Sequence, residues 1–594
     1  MCCDFVNDPT GRYPTPRSYG VNPKFDVLCH KSKNNSLERV SSEAQLKGNF
    51  ALVWRAGAFI RDHSRRQQGD TVNLGMLLFM PASIAGDQII LIDTSTENEG
   101  GAAREVTYGE LLENVGKTAG LLTTLGVEPG DRVGVFATNS VECVEAIFGA
   151  AFVGATVVPM NFRAGAEEAA HLMSDSGVKV LFSETRYQDL VDANRPESVE
   201  HVFMLNEEDS YAAARDEAFE LPVPEDVDPD GLCALLYTSG TTSLPKGVKL
   251  TNGALTGYVM GTNDAATGED MGRMALAAPL YHIAGVTSML NALYSGRVVV
   301  LLPQFEASSW IDTVQKHSVT HAFLVPTMLG RVMEAGNFSP DAFTGMEAIT
   351  YGAAPMPPSV IRRAIGEFPP NVSFAGAYGQ TETTSTVAVL DPDDHRVEGT
   401  EEEQALKLKR LSSVGQVLDD VEVRVVDEAG NPVEAGILGE VQLRTFRAMD
   451  GYWGNEEKTR VTVDDEGWVH TGDLGYLDEE DYLFLGGRTG DMIIRGGENV
   501  SPDEVEAVLY ENSAVLECAV VGVASEEWGE RVVAAAVIRQ GSGVTPDDLV
   551  AFAKEKLAPF KRPEAVHFME ELPRTSTGKL LRRDLIPLLE ELGI

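Results

Sequence analysis

From residue 72 onward, short apolar runs rich in β-branched residues alternate with longer stretches of helical periodicity. The runs end at turn signals and lie at 133–137, 156–160, 179–182, 298–302 and 322–326. The segment after the first run predicts a helix that is capped by Asn139 or Ser140. Alternation of this kind predicts an α/β architecture with largely parallel sheets.

Near residues 417–445 the hydrophobic period changes to two. The segments VEVRVVD and GEVQLR alternate apolar and polar residues around a turn at Glu428, which predicts a small antiparallel patch. The last hundred residues return to a mixture of elements. In that part we expect strands at 517–523 and 531–538 and helices at 502–511 and 546–557.

The Gly-rich sequence GGRTG at 486–490 is the best break point between two folded bodies. We predict a large N-terminal domain (72–488) of mostly parallel sheets with flanking helices and the antiparallel patch. A small, mobile α+β domain (489–594) would follow. Residues 1–71 show no clear period, and we interpret them as a poorly ordered extension or an overlong start with Met76 near the true beginning.

Charge narrows the possible partners. The chain has 594 residues and a net charge of −42. Residues 1–70 hold 11 basic and 7 acidic side chains, while the rest holds 37 and 83. A field this negative repels nucleic acid and anionic membrane surfaces. The acidic, Lys-poor body also suggests a halophilic source, because high salt screens such self-repulsion.

The lack of two kinds of sequence signal bears on the expected location of the protein and on its expected metal content. The longest apolar run, Ala146–Met160, is shorter than the roughly 18 residues that span a bilayer, and no secretory signal begins the chain. We therefore expect a cytoplasmic protein without stable membrane insertion. The six cysteines form no CxxC or Cys/His cluster, so a zinc site or disulfide framework is not expected.

The strongest chemical signal is CALLYTSGTTSLPKGV at 233–248. An apolar strand enters a loop of Gly and hydroxyl residues that bears Lys246, and a helix is expected to follow. Such loops offer backbone N–H groups, hydroxyls and a mobile cation to a phosphate chain. The spacing differs from the GxxxxGK[ST] loop of kinases and GTPases.

This loop resembles the phosphate-loop signature of the acyl-adenylate-forming superfamily, the AMP-dependent synthetases and ligases, and most closely that of acyl-CoA synthetases. Further motifs match in order between residues 72 and 594: PLYHIAG (279–285), YGAAP (351–355), AYGQTETT (377–384), GYWGNEEKT (451–459), the segment 467–506 and LPRTSTGKLLRRDL (572–585). Residues 1–71 match nothing in this superfamily.

The resemblance implies a two-step reaction. A carboxylate attacks the α-phosphorus of ATP and releases pyrophosphate, and the thiol of CoA then displaces AMP from the acyl-AMP. Thr381 would contact the α-phosphate, and Glu382 would hold Mg²⁺. The residues expected to cradle the β- and γ-phosphates are Thr238, Ser239, Gly240, Thr241, Thr242 and Lys246.

The resemblance also implies a site for the nucleoside. Gly352, Ala353 and Ala354 would form a flat shelf for adenine, and Tyr378 would stack on the ring. Asp473 would accept the ribose hydroxyls, and Arg488 would close on the ribose. Lys579, on a Gly-containing loop, would bridge the carboxylate and the α-phosphate during adenylation.

Between the two steps the small domain would rotate. The hinge position carries Gly490, where the superfamily normally has Asp or Lys, so the balance between the two orientations is open. Rotation would remove Lys579 and bring a CoA-binding loop to the site. That loop consists of Gly496, Gly497, Glu498 and Asn499.

The acyl pocket is expected to be walled by His282, with small residues beside it and Tyr351 and Gly376 opposite. The small residues Ala284 and Gly285 leave room for an apolar chain or ring, and we favour a medium- or long-chain fatty acid. No cation for a second carboxylate is visible there, which disfavours dicarboxylates. The alternatives are an aryl acid, a carrier-protein thiol in place of CoA, and a nucleotide sensor without activity. The sequence leaves a homodimer open.

Overall fold

The computed structural model describes residues 73–97, 100–238, 244–525, 527–574 and 580–592. All of them lie in the unit that spans Leu52–Ile594. The interpretation of residues 1–71 lies outside the described residues.

The strands are numbered in chain order. They are β1 (Ile89–Asp93), β2 (Arg104–Thr107), β3 (Arg132–Phe136), β4 (Thr156–Pro159), β5 (Val180–Ser183), β6 (His201–Met204), β7 (Leu232–Thr238), β8 (Lys246–Thr251), β9 (Arg273–Leu276), β10 (Val298–Leu301), β11 (His321–Leu324), β12 (Ala348–Gly352), β13 (Ser373–Gln380), β14 (Ser385–Leu390), β15 (Gln416–Val417), β16 (Glu422–Val426), β17 (Gly439–Arg444), β18 (Val469–Leu477), β19 (Leu483–Arg488), β20 (Ile493–Arg495), β21 (Glu498–Val500), β22 (Val515–Ser525), β23 (Gly529–Ile538) and β24 (Ala565–Phe568).

The α-helices are numbered in the same way. They are α1 (Met76–Ala85), α2 (Tyr108–Thr124), α3 (Val141–Phe152), α4 (Ala166–Ser176), α5 (Gln188–Asn194), α6 (Ala213–Glu217), α7 (Asn252–Thr262), α8 (Ile283–Ser295), α9 (Ala307–Lys316), α10 (Pro326–Glu334), α11 (Pro358–Glu367), α12 (Pro392–His395), α13 (Glu401–Arg410), α14 (Glu456–Thr462), α15 (Pro502–Leu509), α16 (Pro546–Lys556) and α17 (Arg582–Glu591).

Two large sheets form most of the fold. One has nine strands in the order β15-β14-β13-β12-β11-β9-β10-β1-β2, and the other has six in the order β6-β5-β3-β4-β7-β8. Their central neighbours are parallel, and antiparallel pairs lie toward the edges. The predicted α/β architecture with mostly parallel sheets is confirmed.

The apolar run Ala146–Met160 explains how the sheets are joined. It comprises the end of α3 and all of β4, and its apolar residues up to Val157 are buried in the core between the two sheets. Val158 and Met160 lie in a separate core with other residues of the six-stranded sheet. The helix begins where the sequence predicts, because the Ser140 hydroxyl accepts a hydrogen bond from Cys143 N at 3.1 Å. A second core lies on the other face of the nine-stranded sheet and includes residues of α9, α10 and α11.

Two smaller sheets complete the structure. Strands β16 to β19 form a four-stranded antiparallel sheet, which is twice the size of the predicted patch. Strands β20 to β24 form the sheet of the C-terminal part, with cores on both faces. The boundary at 488/489 stays a prediction.

Other expectations can be compared with the described residues. Cys143, Cys233 and Cys518 are buried and unbridged. Within the described ranges no group of three or more His, Cys, Asp or Glu side chains could hold a metal ion. The same part of the chain contains no helix that is long and apolar enough to cross a membrane.

Two helical glycines provide a matched test of the packing. A Cβ built on Gly120 in α2 would lie 1.7 Å from Phe219 O, whereas one on Gly330 in α10 meets nothing within 4 Å. We predict that G120A lowers the free energy of unfolding by about 3 kcal/mol through overpacking. G330A should raise it by about 0.5–1 kcal/mol through helix propensity. Urea denaturation followed by circular dichroism measures both, and equal effects would contradict the packing described here.

Candidate active site

The predicted phosphate loop joins the two strands of a β-hairpin. Strands β7 and β8 are antiparallel, and Thr238 pairs with Lys246 across the ends of the loop. The helix expected after the loop is α7, which begins at Asn252, and strand β8 lies between the loop and this helix. The pairing places Lys246 beside the strand that enters the loop, so the position of its backbone is fixed by the sheet.

The motif at residues 451–459, called the GYW motif below, pairs with this hairpin. Lys249 N donates to Gly451 O at 3.0 Å, and Trp453 N donates to Gly247 O at 2.8 Å. Val248 and Tyr452 form an isolated antiparallel bridge between these bonds. Segment 449–453 thus extends the sheet by a short strand-like stretch next to Lys246.

Three charged groups come together at this junction. Burial lowers the pKa of Lys246, Lys458 lowers it further by repulsion, and Glu382 acts in the opposite direction. Two ammonium groups near one carboxylate give the junction a positive local field in a chain whose net charge is −42. Such a field favours an anionic ligand.

Glu382 is held through both its backbone and its side chain. Met449 N donates to Glu382 O at 2.9 Å, and the Tyr452 hydroxyl donates to Glu382 Oε1 at 2.9 Å. Within the described part of the chain, Oε2 has no hydrogen-bond partner. Mg²⁺ commonly takes one or two protein carboxylates and fills its shell with phosphate oxygens and water. The donor set around Glu382 fits that pattern.

The turn that carries Thr381 and Glu382 is strained. Residues Thr381–Thr383 form a 3₁₀ turn, after which Thr384 and Ser385 adopt φ values of 51° and 76°. Left-handed backbone at non-glycine residues costs on the order of 1–3 kcal/mol each, and it persists only where the surroundings impose it. A Cβ on Gly379 would lie 1.8 Å from Ser385 O, so this glycine permits the tight return of the chain.

Asp473 is the centre of a polar cluster. It is 4% exposed, and its Oδ2 accepts from the Tyr378 hydroxyl at 2.6 Å and from Gln380 Nε2 at 2.8 Å. Arg488 Nε donates to Oδ1 at 2.9 Å. Burial raises the pKa of Tyr378, and the Asp473 charge adds to the effect, so the hydroxyl remains a donor. Three of about four acceptor positions are in use.

The predicted adenine shelf lies next to this cluster. Gly352 ends β12 and pairs with Ala377 of β13, one residue before Tyr378. A Cβ on Gly352 would lie 2.2 Å from Ala377 O, so only glycine allows this approach. Ala353 follows with φ 66°, and the chain turns away at Ala354.

Tyr351 and Gly376 do not face His282. Their side-chain positions lie in the core on the α9–α11 face of the sheet, whereas α8, which starts at Ile283, packs in the core on the opposite face. The Tyr351 hydroxyl instead donates to His395 Nε2 at 2.8 Å, and Gly376 leaves space for the Tyr351 ring. We therefore withdraw both residues from the acyl pocket, since strand alternation turns them into the core.

The small residues beside His282 also have a structural cause. A Cβ on Gly285 would lie 2.1 Å from Pro279 O, so glycine is required for the turn before α8. This close approach alone explains why glycine occurs here, without the expected role of leaving room for an acyl chain. His282 itself occupies the N-cap position of α8.

The predicted CoA loop is a tight hairpin turn between β20 and β21. Gly496 and Gly497 have φ values of 61° and 88°, as a turn with two left-handed residues requires. Gly496, Gly497, Glu498 and Asn499 are all exposed to solvent.

Gly490 lies in an exposed turn in which Asp491 N donates to Arg488 O at 3.1 Å. Its φ lies outside the left-handed region, and a Cβ there would meet nothing within 4 Å. The conformation seen here does not require glycine at this position. The predictions for Ser239, Gly240, Thr241, Thr242 and Lys579 lie outside the described residues.

Sequence reasoning missed four side chains that act on these groups. Lys458 and Tyr452 lie in the GYW motif, and Gln380 lies in the AYGQTETT motif, so their proximity to matched residues was the available signal. Arg447 carried no signal, because it is simply one arginine between two motifs. Its contacts with the Thr381–Thr386 segment emerge only from the fold.

The fold and the arrangement of these motifs define an adenylate-forming α/β enzyme. Residues 82–453 match the AMP-binding enzyme family, and residues 504–579 match the C-terminal domain of AMP-binding enzymes. The chain therefore belongs to the AMP-binding enzyme family, and it is an acid–thiol ligase.

Individual relatives agree with this family. The chain is 35% identical to the fatty acid–[acyl-carrier-protein] ligase ScoC of Streptomyces coeruleorubidus, over 81% of this chain and 91% of that protein. It is also 35% identical to a feruloyl-CoA synthase of an Amycolatopsis species, over 82% and 94%. The crystal structure of ATP-bound MatB from Rhodopseudomonas palustris is similar with a TM-score of 0.78 and 26% identity, covering 88% of this chain and 100% of MatB.

The Tyr351–His395 pair predicts a pH effect on stability. His395 donates from Nδ1 to Asp391 O at 2.7 Å, and burial lowers its pKa to about 4. Because an unfolded His titrates near pH 6.5, lowering the pH from 6.5 to 4 protonates the unfolded state first. The free energy of unfolding should therefore decline as the pH falls through this window, by about 3 kcal/mol in total.

The measurement is the urea midpoint of wild type and two variants at pH 7, 5.5 and 4. H395Q should show a smaller decline than wild type, while Y351F, which keeps the imidazole, should retain the wild-type decline. An unchanged pH dependence in H395Q would contradict the assignment.

Proposed function

We propose that the protein couples ATP to a carboxylic acid in two steps, forming acyl-AMP with release of pyrophosphate and then acyl-CoA with release of AMP. The observation that carries this proposal is the junction of Lys246, Glu382 and segment 449–453, which unites the phosphate-loop hairpin with the Glu382 turn. The Asp473 cluster adjoins it through Gln380, which precedes that turn.

In the first step the carboxylate oxygen attacks the α-phosphorus, and the bond from that phosphorus to the pyrophosphate oxygen breaks. Both reactants are anions, so positive charge and fixed geometry matter more than acid–base groups. Lys246 would meet the outer phosphates together with Thr238 and residues 239–242, and Thr381 would meet the α-phosphate. Mg²⁺ held by Glu382 would neutralise charge on the phosphate oxygens.

Asp473 would bind the ribose on the shelf formed by Gly352, Ala353 and Ala354. Two ribose hydroxyls need two acceptor positions, while the carboxylate already serves three donors. Arg488 is the donor that can withdraw, because its side chain is 59% exposed. We therefore infer that Arg488 releases Oδ1 and closes over the bound ribose.

In the second step the thiolate of CoA attacks the acyl carbon, and AMP leaves. The exposed turn at 496–499 would reach the site by rotation of the small domain (489–594) about Gly490. The same rotation would withdraw Lys579, which we assign to the first step. A chain start downstream of residue 71 would leave all of these groups in place.

For the acid we favour a medium- or long-chain fatty acid, and the likeness to ScoC, named as a fatty acid ligase, supports that choice. The likeness to a feruloyl-CoA synthase at the same identity supports an aryl acid as the second candidate. CoA is the favoured thiol, with a carrier-protein thiol as the competing acceptor.

Pyrophosphate release tests this proposal directly. The acids should range from C2 to C18 and include ferulate and benzoate, each at low and at multimolar salt, with CoA or a phosphopantetheinylated carrier protein as acceptor. We expect release with C8–C18 acids, AMP as the other nucleotide product, and thioester formation with CoA. Formation of ADP, or no release with any acid, would refute the proposal.

Lys579 allows the two half-reactions to be separated. We predict that K579A lowers acyl-AMP formation by roughly 100-fold or more, because one preorganised cation is lost from the transition state. Thioester formation from supplied acyl-AMP should be largely unchanged. The matched control is K556A, which removes an exposed lysine paired with Glu511 and should affect neither half. Equal loss of both halves in K579A would contradict the two-orientation scheme.

A further inference from the structure

Arg447 is a buried cation whose side chain contacts the strained turn at residues 381–386. Its side chain is 1% exposed, and it follows β17. Nη1 lies 3.2 Å from Thr384 O, 3.4 Å from Thr383 O and 3.3 Å from Thr386 O. Three carbonyls of one turn therefore surround a single guanidinium nitrogen.

The rest of the guanidinium is fixed by a second partner. Nε donates to Asp420 Oδ2 at 2.6 Å, and Nη2 donates to Asp420 Oδ1 at 3.1 Å. The guanidinium carbon also lies 5.1 Å from the ring centre of Tyr258. A planar fork that engages a carboxylate in this way has one allowed orientation, which aims Nη1 at the turn.

The contacts run in both directions between Arg447 and the turn. The Thr384 hydroxyl donates to Arg447 O, and Met449 N, two residues later, donates to Glu382 O. The left-handed backbone at Thr384 and Ser385 therefore has a specific restraint on its carbonyl side. Relaxation of this backbone would turn the peptide that carries Glu382.

We propose that Arg447, oriented by Asp420, is a positioning residue that imposes the strained conformation of residues 381–386 and thereby places Glu382 and Thr381 for the nucleotide. This inference rests on the proposed function. Among the residues that the structure describes, the polar contacts of the Arg447 side chain are with Asp420 and the carbonyls of residues 383, 384 and 386, so it acts through the turn. An ion pair with only a structural role would affect the stability of the protein without changing kcat or the Mg²⁺ dependence of ATP binding.

The test compares R447K with R444K, because Arg444 offers a matched control three residues away. Arg444 also makes a two-point pair, with Nε 3.0 Å and Nη2 2.6 Å from Glu422, and its ring partner is Trp468. It is 40% exposed, and its side chain pairs with Glu422 on the neighbouring strand β16 rather than with residues 381–386. Lysine keeps the charge in both variants but cannot hold a carboxylate and three carbonyls at once.

For R447K we expect the kcat for pyrophosphate release to fall by about 100-fold, as a displacement near 1 Å can cause. The KM for the acid should stay within about twofold, and the Mg²⁺ concentration for half-maximal rate should rise. Calorimetry should show that Mg²⁺ strengthens ATP binding less in R447K than in wild type. R444K should match wild type in all of these measurements.

A lower melting temperature in R447K with unchanged kcat and unchanged Mg²⁺ dependence would overturn the proposal, since that is the result of a structural ion pair. If R447K does not fold, D420N replaces it, because the amide removes one acceptor of the fork while Arg447 remains. D420N should shift the Mg²⁺ dependence in the same direction, and no shift would overturn the proposal.

Failure of the proposed function has a different signature. A wild-type protein that releases no pyrophosphate with any acid refutes that function, and calorimetry alone then decides the role of Arg447. A loss of Mg²⁺-coupled ATP affinity in R447K but not in R444K supports the positioning role. Equal affinities, or no ATP binding by wild type, overturn it.

Discussion

The backbone pairing between β8 and segment 449–453 is the constraint on which the site depends. It brings three motifs that are distant in sequence onto one surface: the phosphate-loop hairpin, the Glu382 turn and the GYW motif. The pairing of β8 with segment 449–453 and the bond from Met449 N to Glu382 O use main-chain groups, which no side-chain substitution removes. The side chains of Tyr452, Lys458 and Arg447 are then directed to their targets by a backbone that is already fixed.

This arrangement also explains how an acidic chain can hold an anionic ligand. The net charge of −42 acts over long distances and is screened by salt, whereas Lys246 and Lys458 act locally, where Lys246 is partly buried. Burial of Lys246 lowers its pKa, so the ammonium form is less favourable in the absence of a ligand. An incoming phosphate reverses that penalty, and the site gains selectivity for anions from the same burial.

The sequence predicted the alternation of strands and helices, because buried parallel strands leave nearly continuous apolar runs such as β5 and β10. It placed the start of α3 at Asn139 or Ser140, and the structure assigns the cap to Ser140, because capping depends on local chemistry. It did not predict β8, whose polar first residues read as loop, nor the burial of Tyr351, which depends on strand parity. Arg447 was inaccessible to sequence reasoning because its partners lie 27 and 63 residues away.

The exposed position of the 496–499 turn follows from how the C-terminal part contacts the remainder. Glu517 on β22 accepts from Arg331 of α10 at 3.4 Å and from Arg574 at 2.7 Å. Arg539, which follows β23, pairs with Glu334 at the end of α10. Arg331 and Arg539 are 56% and 41% exposed, so each pair contributes little and salt weakens it further. Contacts of this kind select one orientation without locking it. At the joint itself, Gly490 has no side chain, but its neighbour Thr489 donates from Oγ1 to Gly472 O at 3.2 Å, so a second orientation would first have to break this exposed bond.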